Sequence, residues 1–112
     1  MWISTPNSAL SIVSKDCGPD ELLVRARIRG DIEATLPDAV MSEDAASDYR
    51  FRARLPREEV ALHIADQVRG FTYQNFKAEV HEDGRHSAYM KLWRVMFRFQ
   101  QEVAQRERPR RK

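Results

Sequence analysis

The clearest pattern along the chain is strict alternation of apolar side chains and arginines. In "LLVRARI", Val24, Ala26 and Ile28 fall on one side and Arg25, Arg27 and Arg29 on the other; in "YRFRARL", Tyr49, Phe51, Ala53 and Leu55 oppose Arg50, Arg52 and Arg54. Successive side chains of an extended chain point to opposite faces, so both stretches predict half-buried strands with their apolar sides on a common core. "WIS" and "ALSIVS" predict two further short strands, joined as a hairpin by the "TPNS" turn. Between the arginine strands, "GDIEATL" predicts about two helical turns, with Ile32 and Leu36 four residues apart and carboxylates in the first turn. A strand, a helix and a strand in this span predict a right-handed crossover, with the arginine strands parallel and either adjacent or one position apart. The following "PDAVMSEDAASD" has no period and reads as a mobile loop around an apolar anchor at Val40 and Met41.

Past the second arginine strand the period changes to that of a helix. "PREEVALHIADQVRG" opens on proline and two glutamates and ends at Gly70, with Val60, Ala61, Ile64 and Val68 as its buried stripe. In "FTYQNFKAEV", Thr72 is placed as an N-cap, and Phe71 and Phe76 have the spacing of a hydrophobic staple. The last helix, "HSAYMKLWRVMFRFQQEVAQ", carries a stripe of Tyr89, Leu92, Trp93, Met96, Phe99 and Val103, widened by Met90 and Phe97. That is more apolar surface than one sheet face requires, which predicts either a nearly buried helix or one that docks a partner; burial is the expectation. Together these elements predict an α+β domain over residues 1–104, with a small sheet of about four strands and C-terminal helices packed on one face. Residues 105–112 are read as a basic, disordered tail.

Charge alters this picture in one respect. Residues 1–48 hold four basic and nine acidic side chains and residues 49–112 hold fifteen basic and eight acidic, but five of those basics are in the final "QRERPRRK". Without those eight residues the chain is slightly acidic. The tail residues Arg106, Arg108, Arg110, Arg111 and Lys112 are therefore the candidate phosphate-binding arm.

Candidate chemistry is sparse. His81, Glu82 and His86 in "HEDGRH" lack the i,i+4 spacing with which one helical face presents two histidines to zinc, and Gly84 lies between them. His63 sits among Glu59, Asp66 and Gln67 on the polar side of its helix. Cys17, the single cysteine, allows no internal disulfide and has no activating base near it in sequence. The four glycines are isolated and form no phosphate-cradling loop. These features imply no catalytic residue, no cofactor and no metal. The N-terminal stretch has no signal-peptide pattern and no apolar run is long enough to span a bilayer, which predicts a cytoplasmic protein without a membrane partner.

The alternating arginines remain, with Arg25, Arg27, Arg50, Arg52 and Arg54 as candidate partner-binding residues. Three readings are open: neutralisation within the molecule by Glu33, Glu58 or the "SEDAASD" loop, docking of an acidic protein surface or nucleoprotein complex, or contact with nucleic acid. Tyr49 and Phe51 have the opposite parity and are assigned to the core, which disfavours base stacking by this face.

The combination of "MWIST", "VRARIRGDIE", "DYRFRARLPREEV", "FTYQNFKAEV" and "YMKLWRVM" resembles a family of small bacterial proteins also at home in phage and mobile-element genomes. The resemblance runs from Trp2 to about Met96. It implies a compact α+β protein with no assigned enzymatic activity and transfers no site residues; "TPNSALS" lacks the glycine-aromatic turn expected in relatives. A looser analogy of size and class, without a shared motif, is to anti-CRISPR proteins. The function expected from all of this is binding without catalysis, as an inhibitor or regulator of a bacterial or phage macromolecular complex, with nucleic-acid binding by the tail as the alternative.

Overall fold

The computed structural model describes residues 1–109. Its strands are β1 (Trp2–Thr5), β2 (Ser8–Val13), β3 (Glu21–Ala26), β4 (Ser42–Glu43) and β5 (Phe51–Pro56), and its α-helices are α1 (Asp31–Thr35), α2 (Arg57–Gly70) and α3 (Asp83–Arg106), with a 3₁₀ turn at Lys77–Glu79. The fold is α+β, with one five-stranded sheet where about four strands were expected. The described residues divide into two compact units at Gln74 and Asn75, so a boundary falls within residues 1–104, the span read from sequence as one domain.

In the first unit the strand order is β1-β2-β3-β5-β4 and every neighbouring pair is antiparallel. The expected hairpin forms around Pro6 and Asn7, pairing Thr5 with Ser8 and Trp2 with Ser11. The arginine strands β3 and β5 are adjacent, but they run antiparallel, against the expected parallel crossover. The missing piece is β4. Because β3 and β4 both pair antiparallel with β5, the crossover from β3 lands on β4 at the sheet edge, and a hairpin then reverses the chain into β5. At two residues, β4 is too short to produce an alternating pattern.

The inner face packs Leu10, Ile12, Val24, Ala26, Phe51, Ala53 and Leu55 against Ile32 and Leu36 of the α1 region and Val60 of α2, with Ile3, Leu22, Met41 and Ile64 at the margin. This is the apolar parity of the sequence brought onto one core. Gly30 precedes α1 with φ +93°, a conformation costly for any residue with a Cβ. It turns the chain so that Asp31 is buried, and the Asp31 carboxylate accepts the Ala9 N–H at 3.0 Å while its carbonyl accepts Ser8 Oγ–H at 2.7 Å. The β1–β2 hairpin is thereby tied to α1 through a buried polar contact.

Three local expectations change. Ala61 and Val68 of α2 are exposed, so the buried side of that helix is narrower than its pattern, with Val60 buried and Ile64 half-buried. Val40 is 89% exposed and anchors nothing; Met41 alone of that pair packs against the core. Thr72 caps no helix. Phe71 stacks on Tyr73 at 4.7 Å, and Asn75 Oδ1 caps the 3₁₀ turn by accepting the N–H groups of Lys77 and Ala78. Asn75 has the same capping chemistry as Thr72, so residue type alone does not choose between them.

In the second unit, Phe76 stacks on Tyr89 at 5.6 Å and Lys77 lies over the Trp93 ring, with Val80, Arg85 and Tyr89 buried. Farther along α3, Leu92, Trp93, Met96, Phe97 and Phe99 are exposed, contrary to the burial expected for the stripe. The periodicity fixes which side of a helix is apolar and carries no information about what covers it. The helix continues through Gln105 and Arg106 and is closed by a turn in which Arg108 N–H donates to the Gln105 carbonyl, so the described start of the 105–112 segment is ordered. Among the described residues, no helix is long and apolar enough to cross a membrane.

Candidate functional site: the arginine face

The outer face of the sheet carries the arginines on a register that can be read across four strands. Trp2 of β1 lies opposite Ser11 of β2, Ser11 opposite Arg25 of β3, and Arg25 opposite Arg52 of β5. The next row toward the other end of the strands is Val13, Leu23 and Arg54. Leu23 is buried although its parity places it away from the core; beside it, Arg54 Nε donates to the Asp16 carbonyl of the β2–β3 loop.

Internal neutralisation accounts for about half of the arginines, and the "SEDAASD" loop supplies it. Arg27 pairs with Asp48 at 2.9 Å, and Glu43 accepts from both Arg29 and Arg50 at 2.8–3.2 Å. Neither Glu33 nor Glu58 pairs with any of these arginines. The Arg27 hydrogen bond holds the Asp48 carboxyl below its ordinary range and in turn raises Arg27. At Glu43 desolvation opposes ionisation, but the hydrogen bonds from Arg29 and Arg50 prevail and its pKa is lowered. All these groups are substantially exposed, so the pairs are screened by salt and add little to stability.

Arg25, Arg52 and Arg54 hydrogen-bond to no carboxylate among the described residues, although the charge of Arg25 also helps lower Asp48. Arg25 donates to Ser11 Oγ at 2.7 Å, Arg52 to Ser47 Oγ and the Tyr49 carbonyl, and Arg54 to a backbone carbonyl. Arg25 Nε is buried with no hydrogen-bond partner. The six guanidinium groups therefore meet two carboxylates, and one of these, Glu43, lies with Arg29 and Arg50 on the Phe51 side of the register.

Tyr49 reverses its sequence assignment. It precedes β5 rather than belonging to it, so the strand's alternation does not extend to its side chain. Its half-buried ring lies under the guanidinium of Arg25, 4.4 Å from the centroid, and that of Arg27, at 4.1 Å. Phe51 is buried in the core as expected, yet the guanidinium of Arg29 lies 4.9 Å from its centroid. Trp2, absent from the site read in the sequence, is on the same face and 81% exposed. The parity of "MWIST" was available, but without the β1–β2 register nothing aligned it with Arg25. Aromatic groups thus accompany the arginines, although the stacked guanidiniums occupy the Tyr49 ring.

Other candidate residues do not converge on this face. Cys17 is half-buried and its thiol donates to the Glu21 carbonyl at 3.5 Å. His81 lies ahead of α3 beside Glu79, and His86 is in the first turns of α3. No group of three or more His, Cys, Asp or Glu among the described residues could hold a metal ion. Of the basic arm, Arg106 is in the last turn of α3 and Arg108 follows it, while Arg110, Arg111 and Lys112 lie outside the described residues. Compared with known protein families, curated proteins and solved structures, the chain matches none.

Proposed function

We propose that this is a binding protein without catalysis, which inhibits or regulates a bacterial or phage macromolecular complex in the cytoplasm by covering an acidic surface of it. The resemblance to small bacterial and phage proteins and the looser analogy to anti-CRISPR proteins supply the setting. The observation that carries the reading is the imbalance of the outer sheet face: Arg25, Arg52 and Arg54 hydrogen-bond to no carboxylate, and the nearby Asp48 is held by Arg27. Guanidinium groups fixed by serine hydroxyls, backbone carbonyls and an aromatic ring lose less freedom on meeting a partner, and their forked donors match carboxylates.

An acidic protein suits this face better than a polyanion such as nucleic acid. Residues 1–74 hold nine basic and twelve acidic side chains, so the positive face sits on a unit that is acidic as a whole. A long phosphate chain would meet repulsion beyond the face, whereas a protein surface need only be acidic locally. The test is capture from bacterial lysate with and without nuclease, using the wild-type chain and the Arg52→Glu, Arg54→Glu double variant. Nuclease-resistant capture lost on charge reversal is the expected result. Capture unchanged by the reversal overturns the reading.

The alternative is nucleic-acid binding by Arg106, Arg108, Arg110, Arg111 and Lys112. About five phosphate contacts on a duplex would lower affinity by a few hundred-fold between 50 and 200 mM salt. A flat salt response, or full binding after deletion of residues 105–112, eliminates it.

A further inference from the structure

The direct register of Arg25 against Arg52 points to a narrower site within the face. Like charges placed opposite one another on adjacent strands repel, and no carboxylate of the described chain hydrogen-bonds to either; Asp48, which feels the Arg25 charge, is held by Arg27. At the β4 edge, on the Phe51 side of the register, the chain shows how two arginines are satisfied together: a single carboxylate, Glu43, accepts from Arg29 and from Arg50. Arg25 and Arg52 share no such bridging acid.

The row that contains this pair also contains Ser11, already hydrogen-bonded to Arg25, and the exposed Trp2 on the edge strand. Trp2 is two strands from Arg25, roughly 10 Å in the sheet plane. Tryptophan and arginine are the side chains that most often anchor protein interfaces, and this row offers both on one rigid support. Tyr49, beneath Arg25, holds that guanidinium from the flank.

We propose that the Trp2, Ser11, Arg25, Arg52 row is the anchor site for an acidic peptide segment, with a partner carboxylate bridging Arg25 and Arg52 and a neighbouring apolar or aromatic side chain of the partner resting on Trp2. This rests on the reading of the arginine face as a docking surface and names its anchor and its ligand. Carboxylate is favoured over phosphate because Arg27, the arginine beside this row that does have an acid, is satisfied by a carboxylate, and because the surrounding unit is net acidic.

The test uses the full chain with Trp93→Phe, which leaves Trp2 as the single tryptophan. The probes are a short glutamate-rich peptide carrying one phenylalanine, the same peptide with glutamine for glutamate, and an oligothymidylate. Titration with the glutamate peptide is expected to shift Trp2 emission saturably, and the glutamine peptide to bind about tenfold or more weakly. Arg52→Gln, which lies on a half-buried outer position, is expected to weaken the glutamate peptide by a similar factor, and Trp2→Ala, followed by calorimetry, to weaken it further. Equal binding of the glutamate and glutamine peptides, no effect of Arg52→Gln, or tighter binding of oligothymidylate than of the peptide each overturns the proposal. Lysate capture lost on Arg52→Glu, Arg54→Glu reversal with no peptide response at Trp2 would remove this anchor while leaving the broader docking role in place.

Discussion

Arg25 and Arg52 are direct cross-strand partners on the outer face of the sheet, and the Tyr49 ring lies under the first while its carbonyl accepts from the second. One residue, two positions ahead of β5, thus braces both members of a like-charged pair. The ring and the backbone do separate work, and that separation can be measured.

Replacing Tyr49 by alanine removes the surface on which Arg25 and Arg27 stack. Cation–π contacts at partly exposed sites contribute about 0.5–1 kcal/mol each, so a loss of about 1–2 kcal/mol in urea unfolding is expected. Tyr49→Phe keeps the ring and should retain most of the stability. Equal losses in both variants would assign the effect to the hydroxyl.

Asp31 is buried and accepts the Ala9 N–H. Asp31→Ala leaves that donor unsatisfied beside the core and should cost about 1–3 kcal/mol in chemical denaturation. Asp31→Asn keeps an oxygen acceptor and should cost less. Amide exchange at Ala9 should speed up more in the alanine variant.

Core and stripe should respond oppositely to truncation. Ile32 has no solvent exposure, and Ile32→Ala should cost about 2–5 kcal/mol through lost burial and the cavity it leaves. Met96 is 61% exposed, so Met96→Ala should stay within about 0.5 kcal/mol of the wild type. A large loss at Met96 would mean that the stripe is covered in solution.

The two depressed carboxyls give stability a defined pH dependence. Asp48 and Glu43 have folded pKa values below their ordinary 3.8 and 4.5, so their contribution is fully present above those values and is lost as pH falls through the lowered ones. Acidification from about pH 5 downward should therefore lower the urea midpoint and release Arg27, Arg29 and Arg50. Because the groups are exposed, the effect should be small and shrink in high salt. Asp48→Asn with Glu43→Gln should flatten this part of the profile; an unchanged slope would place the titration elsewhere.

Much of the fold was legible because two periods were clean. Alternation in "LLVRARI" and "YRFRARL" assigned Val24, Ala26, Phe51, Ala53 and Leu55 to the core, where all are buried, and placed Arg25, Arg52 and Arg54 on the opposite side; Ile28, assigned with them, lies past the end of β3 and is 53% exposed. The hairpin around Pro6 and Asn7, the short α1 and the span of α2 follow from turn chemistry, helix spacing and end signals. The illegible parts are those that depend on a partner distant in sequence. The direction of β5 was set by a two-residue strand with no pattern of its own, and Tyr49 was misplaced because parity was extended past the end of a strand.

The sequence by itself determined which side chains share a face, since that follows from backbone geometry over a few residues. Tertiary structure decided what each face meets. Ser42–Glu43 reverses the chain so that Arg25 faces Arg52, the loop that follows delivers Asp48 to Arg27 and leaves that central pair without a hydrogen-bonded acid, and the β1–β2 register brings Trp2 into the same row. These relations join residues up to about fifty positions apart, and no local propensity encodes them.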